Sequence, residues 1–174
     1  SVVPVADGKT VDIPYPVQTS NYHHEIELVV AIGKGGKNIS VEDAAKHIFG
    51  YAVGLDMTRR DLQMKMREAG RPWEIGKAFD YSAPIGEITP IAKTGDLNSG
   101  EIHLTVNGKT TQKSNITHLI WSVSETIANL STLFELKEGD LIMTGTPEGV
   151  GAVVAGDTMV ASIEGLKSIT VAVK

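Results

Sequence analysis

Two glutamates stand two positions apart at the start of a strongly apolar segment, Glu25-Ile26-Glu27-Leu28-Val29-Val30. In a β-strand, side chains at positions i and i+2 point to the same face, so the two glutamates would stand side by side while Ile26 and Leu28 enter the core. Neighbouring carboxylates beside a buried strand repel each other and resist removal from water. A divalent cation relieves both effects, and oxygen ligands favour Mg²⁺, Mn²⁺ or Ca²⁺. The alternative interpretation is the polar face of an edge strand.

Asp56 is a third candidate ligand. It follows an apolar strand predicted over residues 51–55 and directly precedes a predicted helix. The carboxyl ends of strands are where sites collect in mixed sheets, which would bring Asp56 towards a shared centre. The alternative is a carboxylate that is favoured at a helix start by the helix dipole alone.

Three further polar side chains have types that suit an anionic substrate. Arg60 and Gln63 lie three positions apart on the helix after Asp56 and therefore share one face. A guanidinium matches a carboxylate, and an amide both donates and accepts hydrogen bonds. Lys77 is a charge inside the small and apolar stretch Ile75-Gly76-Lys77-Ala78-Phe79. The alternatives are a solvated helix surface for Arg60 and Gln63, and a surface lysine with a buried stem for Lys77.

A loop rich in glycine follows another predicted strand, with the sequence Thr144-Gly145-Thr146-Pro147-Glu148-Gly149-Val150-Gly151. Such a loop lets backbone N–H groups approach an anion. It lacks the Lys-Ser/Thr pair of a Walker loop and the glycine spacing of a dinucleotide site, so the sequence indicates neither.

Short strands separated by turns make up most of the predicted structure. The predicted strands cover residues 2–5, 11–13, 25–32, 51–56, 102–106, 141–144, 158–163 and 167–173. Asn107-Gly108 predicts a two-residue hairpin turn. Three short helices are predicted over residues 40–49, 59–69 and 122–134, capped by Ser40, Thr58 and Ser122 respectively. These elements indicate one α+β domain without repeats or linkers.

The composition is that of an ordinary globular domain, with 174 residues, 41% of them hydrophobic and 21% charged. The net charge of −5 argues against a nucleic-acid partner. No apolar stretch approaches the roughly 18 residues of a membrane span, so no membrane partner is expected. The chain has no cysteine, which excludes disulfides and thiolate sites and fits a reducing compartment, so a cytoplasmic location is expected.

Five motifs occur in one order along the chain, and together they resemble the fumarylacetoacetate hydrolase family. They are His-His-Glu-Ile-Glu-Leu from His23, Gly-Tyr-Ala-Val-Gly-Leu-Asp-Met-Thr-Arg-Arg-Asp-Leu-Gln from Gly50, Gly-Lys-Ala-Phe-Asp from Gly76, Val-Asn-Gly from Val106 and Thr-Gly-Thr-Pro-Glu-Gly-Val-Gly from Thr144. Each motif alone is weak, but five in order at fitting spacings are specific. The resemblance extends from about Ile13 to the C-terminus.

The resemblance implies a fold, an assembly and a site. The fold is a mixed, rolled β-sheet structure of the family's C-terminal type with short helices, and the assembly is a homodimer. The implied ligands of Mg²⁺ or Mn²⁺, with Ca²⁺ also compatible, are Glu25, Glu27 and Asp56. The implied substrate-binding residues are Arg60, Gln63, Lys77 and Thr146, and Lys77 is also the implied catalytic cation.

The resemblance also implies a reaction, the hydrolysis of a carbon–carbon bond in a small β-diketo acid. The similarity is strongest to the bacterial branch that splits fumarylpyruvate and other acylpyruvates, a step of aromatic-compound breakdown. Related members decarboxylate oxaloacetate or interconvert its keto and enol forms, and both activities stay open as alternatives. A non-catalytic metal- or ligand-binding domain is a third alternative.

One feature of the family has no match in this sequence. Members of this type carry an upstream lid with a histidine and a glutamate that act on water, whereas this chain begins at Ser1. The expectation is therefore a single catalytic domain over residues 1–174 that lacks the upstream lid. His23 and His24 do not match the lid pair.

Overall fold

The computed structural model describes all residues from 1 to 174, which form fourteen strands and three α-helices. The strands are β1 (Val2–Val5), β2 (Thr10–Ile13), β3 (Tyr22–His24), β4 (Ile26–Ile32), β5 (Ile48–Leu55), β6 (Thr58–Arg59), β7 (Ala83–Gly86), β8 (Thr89–Pro90), β9 (Glu101–Val106), β10 (Lys109–Asn115), β11 (Leu141–Met143), β12 (Gly151–Val153), β13 (Thr158–Ile163) and β14 (Ile169–Val173). The helices are α1 (Arg60–Glu68), α2 (Ile91–Thr94) and α3 (Val123–Leu133), and 3₁₀ turns lie at Ala44–His47, Glu74–Gly76 and Ile116–His118.

The strands form three sheets. The largest runs β1-β7-β5-β4-β11, with β8 also paired to β5; the second runs β10-β9-β13-β14-β2, and the third β12-β3-β6. The pairs β1–β7 and β2–β14 are parallel, and the other pairs are antiparallel. Mixed sheets with short helices confirm the predicted α+β class.

Strand β4 lies between β5 and β11, and all of its residues are buried. Ile26 and Leu28 point into the main core, whereas Val29 packs with Ala52 and Ile85 on the opposite face. Burial of both faces explains the nearly continuous apolar run of this strand. Glu27 is the one charged residue of β4. Because β4 is paired on both sides and buried, the interpretation of this segment as the polar face of an edge strand is wrong.

The helix predicted over residues 40–49 is also wrong. Its capping signal exists, because the N–H of Asp43 donates to Oγ of Ser40 at 3.2 Å, but only the 3₁₀ turn Ala44–His47 follows. Ile48 is already the first residue of β5, is buried, and pairs with Ile32. Packing of this strand into the sheet decides the structure here, since a short helix gains little stability without tertiary contacts.

The other two predicted helices are confirmed with shorter bounds. Thr58 does not cap α1, because it lies in β6 and its hydroxyl donates to the carbonyl of Asp56 at 3.0 Å. Ser122 and Glu125 form the predicted capping box of α3. Phe134, the last residue of the predicted helix, follows α3 and is 61% exposed.

All eight predicted strands are present, although their ends differ from the prediction by a few residues. Asn107 and Gly108 both have positive φ and form the predicted turn between β9 and β10. Strand β10 is the second strand of the predicted hairpin. The unpredicted strands β3, β6, β7, β8 and β12 have two to four residues, too few to carry a periodic pattern. No helix combines the length and apolar character that crossing a membrane requires.

Candidate metal centre

Carboxylate oxygens of Glu25, Glu27 and Asp56 lie within 4.8 Å of one another. Glu25 directly precedes β4, Glu27 lies in it, and Asp56 directly follows β5, the neighbouring antiparallel strand. The backbone N–H of Asp56 donates to the carbonyl of Glu25 at 2.8 Å, so the two strand ends are joined where the carboxylates meet. The sheet register therefore brings Asp56 to the two glutamates, which lie about thirty residues earlier in the sequence.

Glu27 is the most deeply placed of the three acids, with 4% of its surface exposed. One of its oxygens accepts a hydrogen bond from the backbone N–H of Gly145 at 2.7 Å. Burial first, and the nearby carboxylates of Asp56 and Glu25 second, raise the pKa of Glu27 to about 7, although the Gly145 N–H and the Lys77 ammonium oppose this rise. Without a further positive charge, this carboxylate resists ionisation.

Two basic side chains contact the acids. The ammonium of Lys77 donates to Glu25 at 2.6 Å and to Asp56 at 2.5 Å, and the guanidinium of Arg60 donates to Glu25. Arg60 also donates to Oε1 of Gln63 at 2.6 Å. Burial raises the pKa of Asp56, and the Lys77 ammonium partly offsets that effect. A positive charge thus lies between Glu25 and Asp56.

The segment that carries Lys77 is held against α1 by Arg59 and Gly76. The guanidinium of Arg59 donates to the carbonyl of Ile75 at 3.0 and 2.6 Å and lies 4.5 Å from the centre of the Phe79 ring. A Cβ at Gly76 would lie 2.7 Å from Cβ of Gln63, so only glycine permits this approach. These contacts bring Lys77 and Arg60 to the same carboxylates.

The donor set fits a hard divalent cation. It offers three carboxylates, two of which already share the ammonium of Lys77, and one of which has its pKa raised to about 7 by burial and by its acidic neighbours. Carboxylate oxygens are the preferred ligands of Mg²⁺, Mn²⁺ and Ca²⁺. Neither Lys77 nor Arg60 is ion-paired with Glu27, so this acid is the one that lacks a positive partner.

A cavity of about 580 Å³ borders this centre through the loop after β11. Thr146 and Gly145 line it, and Gly145 also donates to Glu27. Apolar residues of the cavity include Ile116, Leu119 and Trp121. The loop therefore has one side on the carboxylates and the other on the cavity.

The family pattern described as fumarylacetoacetate (FAA) hydrolase C-terminal matches residues 3–174. The chain belongs to the fumarylacetoacetate hydrolase family. It is 53% identical over 169 residues to a fumarylpyruvate hydrolase of a Ralstonia species, covering 97% of this chain and 86% of that protein. It is 42% identical over 151 residues to an oxaloacetate tautomerase of Escherichia coli, covering 86% of this chain and 69% of that protein.

A solved structure of the same family is also similar. The crystal structure of fumarylpyruvate hydrolase from Pseudomonas aeruginosa in complex with Mn²⁺ and pyruvate shares 60% sequence identity and superposes with a TM-score of 0.98. The match covers 99% of this chain and 74% of that one.

The structure places most of the sequence-predicted site residues of this family member in one cluster. The residues in contact there are Glu25, Glu27, Asp56, Arg60, Gln63 and Lys77. Thr146 lines the cavity, and its side chain makes a hydrogen bond to Gln112 and none to the acids. The roles assigned to these residues stay predictions.

The loop from Thr144 was predicted to bring backbone N–H groups to an anion, and the N–H of Gly145 does donate to the carboxylate of Glu27. The side chain of Gln112 was not predicted to belong to the site. Gln112 is fully buried and contacts both His24 and Thr146. The hairpin pattern placed residue 112 on a strand, but nothing in the local sequence indicated that this amide points inward.

We expect Asp56→Asn and Glu27→Gln each to weaken Mn²⁺ binding by at least about 10²-fold, since even an outer partner of a metal ligand contributes up to that much. Titration calorimetry measures the affinity. Lys77→Met should bind Mn²⁺ as tightly as the unchanged protein or more tightly, because it removes a competing positive charge. Asp96→Asn, at an exposed position, is the matched control. Unchanged affinity in Asp56→Asn would exclude this centre.

Glu27 makes the stability of the metal-free protein depend on pH. Because its pKa is raised to about 7 on folding, the stabilisation from its bound proton is present at low pH and is lost as the pH rises through about 7. With a chelator present to remove metal, the free energy of unfolding should therefore fall by about 2–3 kcal/mol as the pH rises from about 5 to about 8.

Glu27→Gln should show a smaller loss of stability over this range by that amount, as measured by urea denaturation. The exposed change Glu138→Gln is the control and should follow the unchanged protein. Identical pH dependence in all three proteins would contradict the raised pKa of Glu27.

Proposed function

We propose that this chain hydrolyses fumarylpyruvate to fumarate and pyruvate with the help of a divalent cation. The observation that carries the proposal is the meeting of three carboxylates with Lys77 and Arg60 beside a cavity. Support comes from the relative named fumarylpyruvate hydrolase and from the similar structure described with Mn²⁺ and pyruvate, one product of that reaction.

The proposed reaction adds water to the carbonyl carbon of the fumaryl group. The bond between that carbon and the adjacent methylene then breaks, its electron pair passes to the pyruvate part as an enolate, and a proton returns to the methylene carbon. A divalent ion on Glu25, Glu27 and Asp56 would supply Lewis-acid polarisation of the 2-oxo acid oxygens. The other requirements are binding of the substrate carboxylate and stabilisation of the enolate, and charged side chains of the chain itself are suited to both.

Arg60 and Lys77 are suited to the negative charges of the substrate. Arg60 donates to Glu25 and to Gln63, which leaves three of its five N–H donors for a substrate carboxylate. Lys77 uses two of its three donors on Glu25 and Asp56. We infer that its ammonium stabilises the enolate oxygen that develops during cleavage, since donors directed at a developing oxyanion lower the barrier.

The cavity is suited to the acyl part of the substrate. Its apolar residues Ile116, Leu119 and Trp121 would pack against the flat fumaryl chain, and Ser114 and His118 supply polar groups. Thr146 borders the cavity on the side of Glu27, because the preceding residue, Gly145, donates to that glutamate. This order matches a substrate with a 2-oxo acid at one end and an acyl group at the other.

A base for water is the role that the acids of the centre do not supply. Glu25 is paired with two cations, Asp56 with Lys77, and Glu27 with a backbone N–H. We propose that a histidine and a carboxylate of a lid outside residues 1–174 take this role, in line with the family resemblance. The catalytic domain over residues 1–174 would then supply the cation, the pocket and the charge stabilisation.

Keto–enol conversion or decarboxylation of oxaloacetate is the second candidate function. The identity of 42% to an oxaloacetate tautomerase favours it. Both reactions need the same enolate stabilisation by Lys77, but neither needs water to attack an acyl carbon. The cavity beside Thr146 favours the hydrolase, since oxaloacetate has no acyl group to fill it.

The cofactor, assembly and location belong to the same proposal. Three carboxylates support Mg²⁺ or Mn²⁺, and Ca²⁺ fits the same oxygen ligands. A homodimer follows from the family resemblance, and a cytoplasmic place in aromatic-compound breakdown is supported by the lack of cysteine and by the proposed substrate.

A panel of fumarylpyruvate, acetylpyruvate and oxaloacetate, assayed with Mg²⁺ and with chelator, separates these functions. We expect fumarylpyruvate to have the highest kcat/KM and the chelator to abolish its hydrolysis. Preference for oxaloacetate would establish the second candidate instead. Tight Mn²⁺ binding without turnover of any of the three would identify a non-catalytic metal-binding domain.

Lys77→Ala should lower kcat for fumarylpyruvate by about 10²-fold or more, because it removes a donor to the developing oxyanion. Lys46→Ala, at an exposed position, should leave kcat unchanged. A kcat in Lys77→Ala equal to that of the unchanged protein would exclude a catalytic role and leave Lys77 only as an ion-pair partner of Glu25 and Asp56.

The lid proposal predicts that the 174-residue chain binds Mn²⁺ and pyruvate but hydrolyses fumarylpyruvate slowly. Joining the upstream lid segment of a longer relative should raise kcat by about 10²–10⁴-fold, the usual contribution of general acid–base catalysis. Steady-state rates of the two forms at saturating Mg²⁺ provide the comparison. Equal rates would mean that the base lies inside this chain, and His24 and Glu148 would be the first residues to replace.

A further inference from the structure

Gln112 is a fully buried amide on β10, with 0% of its surface exposed. Its side chain joins the strand segment that carries the glutamates to the loop that carries Thr146. It makes four hydrogen bonds, which is the full capacity of an amide with two acceptor sites and two donor hydrogens. The mechanism proposed above assigns it no role.

Two backbone partners fix which end of the amide is which. The N–H of Ile26 can only donate, and it donates to Oε1 of Gln112 at 3.1 Å. The carbonyl of Pro147 can only accept, and it accepts from Nε2 at 2.9 Å. The orientation of the amide therefore follows from its chemistry and not from an assignment of oxygen and nitrogen positions.

The other two hydrogen bonds then have forced directions. Nδ1 of His24, 2.9 Å from Oε1 of Gln112, must carry the hydrogen and donate it. Oγ1 of Thr146, 2.8 Å from Nε2, must accept. The hydroxyl hydrogen of Thr146 is consequently left for another partner, and this residue lines the cavity beside the carboxylates.

We propose that Gln112 is a positioning residue that makes the hydroxyl of Thr146 a hydrogen-bond donor to a carboxylate or ketone oxygen of the bound 2-oxo acid. The identity of that ligand rests on the proposed function. Gln112 acts only through Thr146 and does not touch the substrate. Because the amide also binds the backbone between Glu25 and Glu27, it fixes the distance between the hydroxyl and the acids.

The fold directs this side chain inward. A register shift in the β9–β10 pairing lies between Thr110 and Gln112, and such bulges re-aim the next side chain. The loop is pressed against the same place, since a Cβ at Gly149 would lie 2.1 Å from the carbonyl of Thr111. The φ of Gly149 is +93°, a backbone conformation that is a second reason for glycine at this position. Strand and loop are thus built to meet at this amide.

The test is a double-mutant cycle on pyruvate binding to the Mn²⁺-loaded protein, measured by titration calorimetry at about pH 8. Gln112→Glu keeps the length and the acceptor for Ile26 but loses both donors, so the Thr146 hydroxyl would turn to the new carboxylate. We expect pyruvate affinity to fall about tenfold or more, the effect of losing one hydrogen bond to a charged group. Thr146→Val should cause a similar loss.

The combination of the two changes decides between positioning and general support of the fold. If Gln112 acts through Thr146, Gln112→Glu should cause little further loss in a Thr146→Val background. Equal losses in both backgrounds would overturn the proposal, as would an equal fall in Mn²⁺ affinity. Gln18→Glu, the same chemical change at an exposed position, is the control and should alter neither affinity.

A second variant, Gln112→Met, introduces no charge and keeps the cycle informative if the buried glutamate prevents folding. It should also lose its effect on pyruvate binding when Thr146 is valine. The binding measurement is independent of hydrolysis. If pyruvate binding depends on Gln112 but the original protein hydrolyses no fumarylpyruvate, the proposed function alone is refuted. Hydrolysis without any dependence on Gln112 would refute this inference alone, and absence of pyruvate binding would refute it as well.

Discussion

Repulsion among three carboxylates at one nearly buried point is the constraint on which the rest of the site depends. Glu25, Glu27 and Asp56 are brought within 4.8 Å by the pairing of β4 with β5, and burial raises the pKa of Glu27 to about 7. Such a cluster persists with all three groups ionised only if positive charge meets it. Lys77 and Arg60 supply part of that charge, and a divalent cation would supply the rest.

The surrounding structure serves to hold these charges in place. The strand ends are tied by the hydrogen bond from Asp56 to Glu25, and the segment of Lys77 is tied to α1 by Arg59. Both ties use backbone carbonyl acceptors, so they tolerate changes of neighbouring side chains. The acids therefore lie in or next to the ends of β4 and β5, and β4 is buried on both faces.

Much of this arrangement could be predicted from sequence because it follows strand periodicity. The alternation at Glu25, Ile26 and Glu27 gave the correct faces, and the position of Asp56 at a strand end gave the third acid. Order along the chain and resemblance to a family supplied Lys77 and Thr146, for which local spacing allowed a surface role. The site residues that depend on regular secondary structure were therefore accessible.

The features that sequence did not reveal depend on contacts between distant segments. Gln112 is turned inward by a register shift in the β9–β10 pairing, and the loop pattern at residues 144–151 did not indicate that the anion met by Gly145 is the carboxylate of Glu27. The prediction of a helix after Ser40 was wrong for the same reason. Pairing of Ile48 with Ile32 outweighed the local capping signal. The pattern of polar and apolar residues predicts which face of an element is buried, but it does not predict which distant segment packs against that face.

A crystal structure of the chain with Mn²⁺ and pyruvate, with anomalous diffraction recorded near the manganese edge, tests the central claim most directly. We predict one strong anomalous peak within about 2.0–2.6 Å of a carboxylate oxygen from each of Glu25, Glu27 and Asp56. The ammonium of Lys77 should then no longer lie between Glu25 and Asp56. A peak bound elsewhere, with Lys77 still bridging these two acids, would contradict the assignment of this centre.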